Sequence, residues 1–494
     1  MILARRSESA SATLAPELCA VEGGEQTVSD GVGTVKISAR LNYTDGETFL
    51  IGKPSSSLTA MSLRTRLAHG VAWNMVGVVF NQGSTFAVNV LLAHTFGVTV
   101  FGKYAMVQST VAVATQLAQI ATGYTATKYI AEFRTTDPQR AGGLLGLLGF
   151  VALGAATLTA TMLLVSSGFL ADSILNEASL APALAIASAG VFFSGISGFF
   201  MGTLAGLESY RTLGLAGITS GVVYIAVCMT GAAVGGLRGA VAGVAISALI
   251  QSGVLWQCVR REARRHEIPV RLARLSSEAG IILRFALPAA LPSFIALPAV
   301  WISNTFLVGQ EGGYALLALF TAANSFRIMV LFLPNIVNSV SMSLLNHQKG
   351  LNDSRRYRRL FWVNLAATLG AVLVGATTVV VAGRWLLLWF GPAFTGGYTA
   401  LILLMAATIP ESASTALLQI IQSRERIWWY LGAVVIPCYA TLVGVAWWLT
   451  PTHGAVGLAW AHLAGWTVAL AANYAIVMRL GLNLPDSSRS PVIP

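Results

Sequence analysis

The chain reads as an all-α polytopic membrane protein, with about 12 transmembrane helices in two parallel six-helix bundles around a central cavity. Three observations predict this. Hydrophobic residues make up 55% of the sequence and charged residues only 10%, with a mean hydropathy of +0.69. Apolar runs of about 20 residues, each long enough to cross a bilayer as a helix, recur from Gly70 onwards. Short patterns also repeat at an offset of about 210–215 residues, half of the spanning region. The runs leave no room for a soluble catalytic domain. The net charge of +11 sits in the connections between runs, as membrane topology requires, so no nucleic acid partner is read.

Residues 1–60 are rich in Ser, Thr, Gly and Glu and hold no apolar run. They read as a disordered cytoplasmic extension or, because Met61 stands just before the first span, as a misassigned start. The spans expected are 70–96, 104–127, 143–167, 181–206, 212–234, 239–259, 281–307, 314–343, 360–383, 398–421, 427–449 and 454–478. Residues 61–259 then form one bundle, the basic stretch 260–279 a cytoplasmic linker, 280–480 a second bundle and 481–494 a cytoplasmic tail. Inner connections collect Arg64, Arg66, Lys128, Arg134, the cluster from Arg260 to Arg274, Arg355, Arg356, Arg358, Arg359 and Arg479, among others. Outer ones hold Lys103, Arg238 and Arg384, which places both termini in the cytoplasm. Gly102-Lys103-Tyr104 before the second span recurs as Gly312-Gly313-Tyr314 before the eighth, and Gly239-Ala240-Val241 as Gly454-Ala455-Val456. Six spans per half is an even number, so the halves share one orientation and an axis along the membrane normal.

Polar residues inside the spans are the candidate functional groups. In the first span Asn74, Asn81, Thr85 and Asn89 fall within about 80° of one another on the helical wheel, with Gln82 beside them. The second span carries Gln108, Thr115, Gln119 and Thr122. Such stripes either glue helices together or line a hydrated cavity whose amides meet sugar hydroxyls. Pro288, Pro292 and Pro298 in the seventh span point to a bent or broken helix of the kind that serves as a moving gate, or to a kinked packing helix. In the eighth span Arg327 sits near mid-membrane, sharing a face with Asn324, Asn335 and Asn338, with Pro334 as a kink. Arg at that depth costs about 2.5–3.5 kcal/mol on insertion scales, so it faces a wet cavity or a carboxylate. Glu411 in the tenth span is a partner for Arg327 or a carrier for a coupling proton or sodium ion. His462, in line with Trp466 and Asn473, reads as a packed histidine with a satisfied hydrogen bond, and Trp428, Trp429, Trp447 and Trp448 as an aromatic belt. Cys19, Cys228, Cys258 and Cys438 form no CxxC pair and the histidines are scattered, so no metal site and no resident cofactor are read.

Asn74 and Gln82 in a polar first helix, followed by Phe101-Gly102-Lys103-Tyr104, together with the GLESYR turn at Gly206–Arg211 and the FGPAF turn at Phe390–Phe394, resemble polysaccharide-biosynthesis membrane proteins of the Wzx oligosaccharide-flippase type. The resemblance covers residues 61–494, and the first sixty residues depart from it. It implies the multidrug/oligosaccharidyl-lipid/polysaccharide exporter (MATE-like) fold, whose V-shaped cavity opens alternately to each side. It also implies an undecaprenyl-diphosphate-linked oligosaccharide as substrate, moved between leaflets of a bacterial inner membrane, with a polysaccharide polymerase and a chain-length regulator as partners. On this footing the chain is a transporter and not an enzyme. Arg327 is the expected diphosphate partner, since guanidinium pairs bidentately with phosphate, and the amide stripes are the expected glycan contacts. The rival readings are a cation-coupled small-molecule exporter of the same fold and a membrane-embedded O-antigen polymerase or glycosyltransferase. The first favours an acidic, aromatic cavity. The second needs a carboxylate pair or a large outer domain, and neither pattern is visible.

Overall fold

The computed structural model describes residues 25–30, 33–38, 63–119, 122–269, 287–350, 354–424 and 427–480, and the chain divides into two units, Met1–Ser62 and Leu63–Pro494. In the first unit strands β1 (Glu25–Asp30) and β2 (Gly33–Ser38) pair antiparallel, with Val28 opposite Val35. No element is expected there from the sequence. The β-branched Thr27, Val28, Thr34, Val35 and Ile37 supply the strand propensity.

The described residues of the second unit are helical apart from short connections. The helices are α1 (Leu63–Gln119), α2 (Thr122–Phe133), α3 (Pro138–Phe169), α4 (Ala181–Gly206), α5 (Tyr210–Arg265), α6 (Leu287–Val308), α7 (Gly313–Gly350), α8 (Ser354–Leu388), α9 (Tyr398–Ser423), α10 (Ile427–Tyr430) and α11 (Ile436–Leu480). Starts follow local chemistry: Asp137 caps α3 by accepting from the Arg140 amide at 3.0 Å, with Pro138 at the first position, where its missing N–H costs nothing. Among the described residues, nine helical stretches are long and apolar enough to cross a membrane. This is an all-α polytopic membrane fold.

Three of those stretches, Met75–Phe133, Tyr210–Arg265 and Trp428–Leu480, run for 59, 56 and 53 residues, more than twice the roughly 20 that a bilayer core asks for. Each is interrupted by a glycine of positive φ: Gly97 at 71°, Gly236 at 56° and Gly454 at 52°. Residues with a Cβ rarely adopt such torsions, so these are the points where one helical rod passes into the next. Gly97 and Gly236 fall in the gaps left between expected spans and Gly454 is the first residue of the expected twelfth, although the helices there run on where separate ones are expected. Positive φ also links Gly97 with Gly312, Asn176 with Gly391 and Gly236 with Gly454, each pair about 215–218 residues apart, matching the spacing of the repeated tripeptides. The helix α6 is continuous through Pro292 and Pro298, and not broken as one reading of its prolines has it. Pro288 stands in its first turn, and residues 281–286 of the expected span lie outside the described residues.

Helices α1–α5 pack mainly on one another, as do α6–α11, and α1 joins the two sets by packing on α6 and α7. A buried polar knot ties the second set together. The Asn338 side-chain oxygen on α7 accepts from Gln419 Nε2 on α9 at 2.8 Å, from Asn364 Nδ2 on α8 at 3.0 Å and from Thr368 Oγ1 at 3.4 Å. Ser341 Oγ donates to Asn364 Oδ1 at 2.6 Å, and Asn473 Nδ2 on α11 reaches Ser414 Oγ at 2.7 Å. Removing the shared acceptor strands buried donors at about 1–3 kcal/mol each. Asn338→Leu is therefore expected to lower the thermal midpoint of the detergent-solubilised protein by several degrees, while Asn335→Leu, at an exposed position, leaves it within a degree.

Candidate functional site

Arg327 is buried, and its charge is met within the second set of helices. Its Nη2 lies 2.5 Å from Glu411 Oε2 on α9, and its Nη1 donates to Asn324 Oδ1, one turn back on α7, at 3.0 Å. The Arg327 Nε is buried with no hydrogen-bond partner among the described residues. The structure thus brings Arg327, Asn324 and Glu411 into one constellation. Asn338 belongs to the polar knot instead, and Asn335 is exposed, off the face it was expected to share. His462 on α11 is buried and tilted against Phe320 at 5.4 Å, but neither ring nitrogen has a partner among the described residues, which corrects the expected hydrogen bond.

A pocket of about 190 Å³ opens between α1 and α7. Gln82, Thr85, Phe86 and Asn89 line it from α1, and Ser325, Ile328, Met329 and Phe332 from α7. It lies on the α1-facing side of α7, and Arg327 is not among its lining residues. Its volume falls short of the roughly 300–1,000 Å³ of a ligand cleft, so it is a contact surface and not a container. Of the expected amides, Asn89 and the adjacent Gln82 reach it. Asn81 is exposed elsewhere on α1, and the Asn74 side chain lies outside the described residues. Gln119 acts as glue, its Nε2 donating to the Ser194 carbonyl of α4 at 3.4 Å, whereas Gln108 Nε2 donates to Tyr104 Oη, one turn back on α1, at 3.0 Å.

Beside the pocket the two sets of helices are sealed together. Phe86 and Phe101 of α1, Phe326 of α7, and Phe390 and Phe394 of the α8–α9 turn form a connected aromatic plug with centroid distances of 5.4–6.2 Å. At the end of the molecule that carries Lys103, the repeated tripeptides meet. A Cβ on Gly102 would collide with the Tyr314 carbonyl, so only glycine permits this approach. Tyr314 Oη donates to the Leu175 carbonyl at 2.7 Å, and Lys103 Nζ lies 5.8 Å from the centre of the Tyr314 ring and 2.6 Å from Glu177. Hydrogen bonds from Lys103 and Ser179 hold the Glu177 carboxyl below its ordinary range. Trp301 Nε1 to Thr110 Oγ1 at 2.9 Å and Asn304 Nδ2 to Ser109 Oγ at 3.0 Å add two further bonds from α6 to α1. Neither Phe86 nor Phe326 stands out in an apolar run, and Phe101, Phe390 and Phe394 show in the sequence only as parts of short motifs.

The sequence profile of the family described as "Polysaccharide biosynthesis protein" matches residues 67–345. The "EPS I polysaccharide export inner membrane protein EpsE" of Ralstonia nicotianae is 24% identical over 350 residues, which are 69% of this chain and 77% of that protein. The "Lipid III flippase" of Escherichia coli is 23% identical over 411 residues, 81% of this chain and 96% of that one. Among solved structures, the inward-facing form of a multidrug resistance MATE family transporter of the MOP superfamily aligns with a TM-score of 0.70 at 16% identity, over 82% of this chain and 98% of that one. A MOP superfamily transporter from Pyrococcus furiosus aligns with a TM-score of 0.64 at 15% identity, over 84% and 96%. The fold is therefore MATE-like.

Two outcomes are expected at the sealed end. Gly102→Val prevents the approach to Tyr314, so spin-label distances across that end lengthen in nanodiscs at neutral pH. The Lys103–Glu177 contact lies within the first set and acts on the seam by holding Lys103 beside the Tyr314 ring; it contributes fully above the ordinary glutamate value of about 4.3 and weakens as pH falls through the lowered one. Acidification into that range should reproduce part of the lengthening, and Glu177→Gln should do so at neutral pH. Unchanged distances in both variants would show that these contacts do not hold the end closed.

Proposed function

From the premise that this chain belongs to the polysaccharide biosynthesis protein family, as the match over residues 67–345 shows, we propose that it is a lipid-linked oligosaccharide flippase. The observation that carries this reading is the alignment along 96% of a lipid III flippase on a MATE-like fold. The substrate is an undecaprenyl-diphosphate-linked glycan repeat unit, moved from the cytoplasmic to the periplasmic leaflet of the inner membrane for O-antigen or exopolysaccharide assembly. A polysaccharide polymerase and a chain-length regulator act downstream. Gly97, Gly236 and Gly454 divide three long stretches in two, so nine stretches give twelve crossings in two six-helix bundles. These bundles are residues 61–259 and 280–480, joined by the basic linker 260–279, with both termini in the cytoplasm.

The physics of the cargo fits these elements. A diphosphate-sugar head cannot cross about 30 Å of hydrocarbon unaided, whereas its polyprenyl tail is at home in lipid. The cleft between α1 and α7, apolar with a few amides, suits a tail leaving the protein sideways along its wall. Arg327 is the diphosphate partner, with Asn324 orienting it. In this orientation the sealed end carrying Lys103 faces the periplasm, so the state described here receives substrate from the cytoplasm. Release requires the aromatic plug and the Gly102–Tyr314 contact to part, with Pro292 and Pro298 as points where α6 yields.

The test is flipping of a fluorescent undecaprenyl-diphosphate saccharide in proteoliposomes. Arg327→Ala and Arg327→Lys are each expected to slow it by at least about tenfold, because a lysine ammonium does not reproduce the guanidinium fork. Full rates in both variants at normal protein level would remove Arg327 from the substrate path.

A further inference from the structure

The contact between Arg327 and Glu411 leads past the flippase reading, on which the following rests. We propose that the pair is an exchange site at which an anionic diphosphate and a small monovalent cation bind together: the diphosphate takes Arg327 away from Glu411, and the released carboxylate takes a proton or a sodium ion.

The geometry of the guanidinium supports the exchange. Glu411 engages it through Nη2, at 2.5 Å from Oε2, while Nη1 is spent on Asn324 and Nε is buried without a partner. The Nε and Nη2 edge is the one that grips an oxyanion as a fork, and here it is only half used. A phosphate with several terminal oxygens fills both positions, but only if Glu411 leaves Nη2. The two side chains are 10% and 14% exposed, so they are nearly buried yet not closed off.

Once Arg327 has turned to the diphosphate, Glu411 has no other cation to fall back on among the described residues. The titratable groups within its electrostatic reach are Cys438 and Tyr439 on α11, and His462 on the same helix lies within reach of Arg327. From α8 the nearby knot presents Asn364 and Thr368, both neutral, and among the described residues neither the Pro392–Gly397 turn nor α10 supplies a lysine or arginine to the carboxylate. A carboxylate stranded at low exposure is unfavourable, so it takes up a proton or holds a sodium ion. Linkage is reciprocal: a cation on Glu411 raises the affinity for the diphosphate by the same factor that the diphosphate raises the affinity for the cation. The head would then cross with part of its charge already neutralised.

The experiment measures binding of undecaprenyl diphosphate to the full chain in nanodiscs between pH 6 and pH 8, with either sodium or choline as the salt cation. In the wild type the affinity is expected to rise by up to about tenfold per pH unit of acidification, or with sodium over choline at fixed pH. The two arms identify the cation. Glu411→Gln frees Arg327 permanently, so it should bind at least as tightly and lose the dependence on the identified cation. Any slope left in that variant is the ligand's own titration. Wild-type binding with the same slope as Glu411→Gln in both arms overturns the linkage and leaves the flippase reading intact. Loss of binding in Glu411→Gln, with wild-type elution and melting behaviour, overturns the exchange. A wild type that binds no undecaprenyl diphosphate overturns both.

Discussion

An ion pair in the middle of a bilayer cannot turn to water when it breaks, so the contact between Arg327 and Glu411 constrains the helices that carry it. Breaking such a pair by deleting one partner strands a charge, at a cost of about 3–5 kcal/mol in buried settings. Helices α7 and α9 are held in register by that contact at one level and by the Asn338–Gln419–Asn364 knot at another. The knot has reason to stay shut, because parting it would strand the three donors that share the Asn338 side-chain oxygen. The ion pair has a reason to exchange partners, because one face of its guanidinium is idle.

The same economy governs the seam between the two sets of helices. Its stable parts are apolar and aromatic, the Phe86–Phe326–Phe390 plug, and these bury well but carry no charge that would have to be neutralised before parting. Its directional parts are few: Trp301 to Thr110, Asn304 to Ser109, and Tyr314 to the Leu175 carbonyl. Gly102 completes it by having no side chain, since backbone approaches backbone there only because nothing stands between. A closure made of packing and a handful of bonds suits an element that opens and shuts in each cycle.

Much of this was legible in the amino-acid order. Arg327 stands out by its depth, Glu411 by lying mid-membrane beside Pro410, and the helix interruptions at Gly97 and Gly236 by gaps between apolar runs, with Gly454 at the start of the run that follows its gap. The repeat that the tripeptides hinted at reappears in the positive-φ positions, because a turn of fixed geometry preserves its glycine when side chains drift. What periodicity hides is partnership. Gln108 and Gln119 look like cavity amides on a wheel, yet each finds an acceptor, because an amide in hydrocarbon takes the first partner it meets. Asn364 and Gln419 give no signal alone, and Asn335, expected on the face of Arg327 and Asn338, is turned outward by α7. The hairpin of β1 and β2 gives no signal because a polar, glycine-rich stretch masks two short β-branched runs.

The central claim, that this chain moves lipid-linked saccharide heads across the membrane, meets its most direct test in the host. The measurement is the lipid-linked saccharide pool, resolved by leaflet and by length, after the gene is deleted. Complete repeat units accumulating on the cytoplasmic leaflet are the predicted result. Single units already outside but unpolymerised, or an unchanged pool with altered tolerance to small molecules, would contradict it.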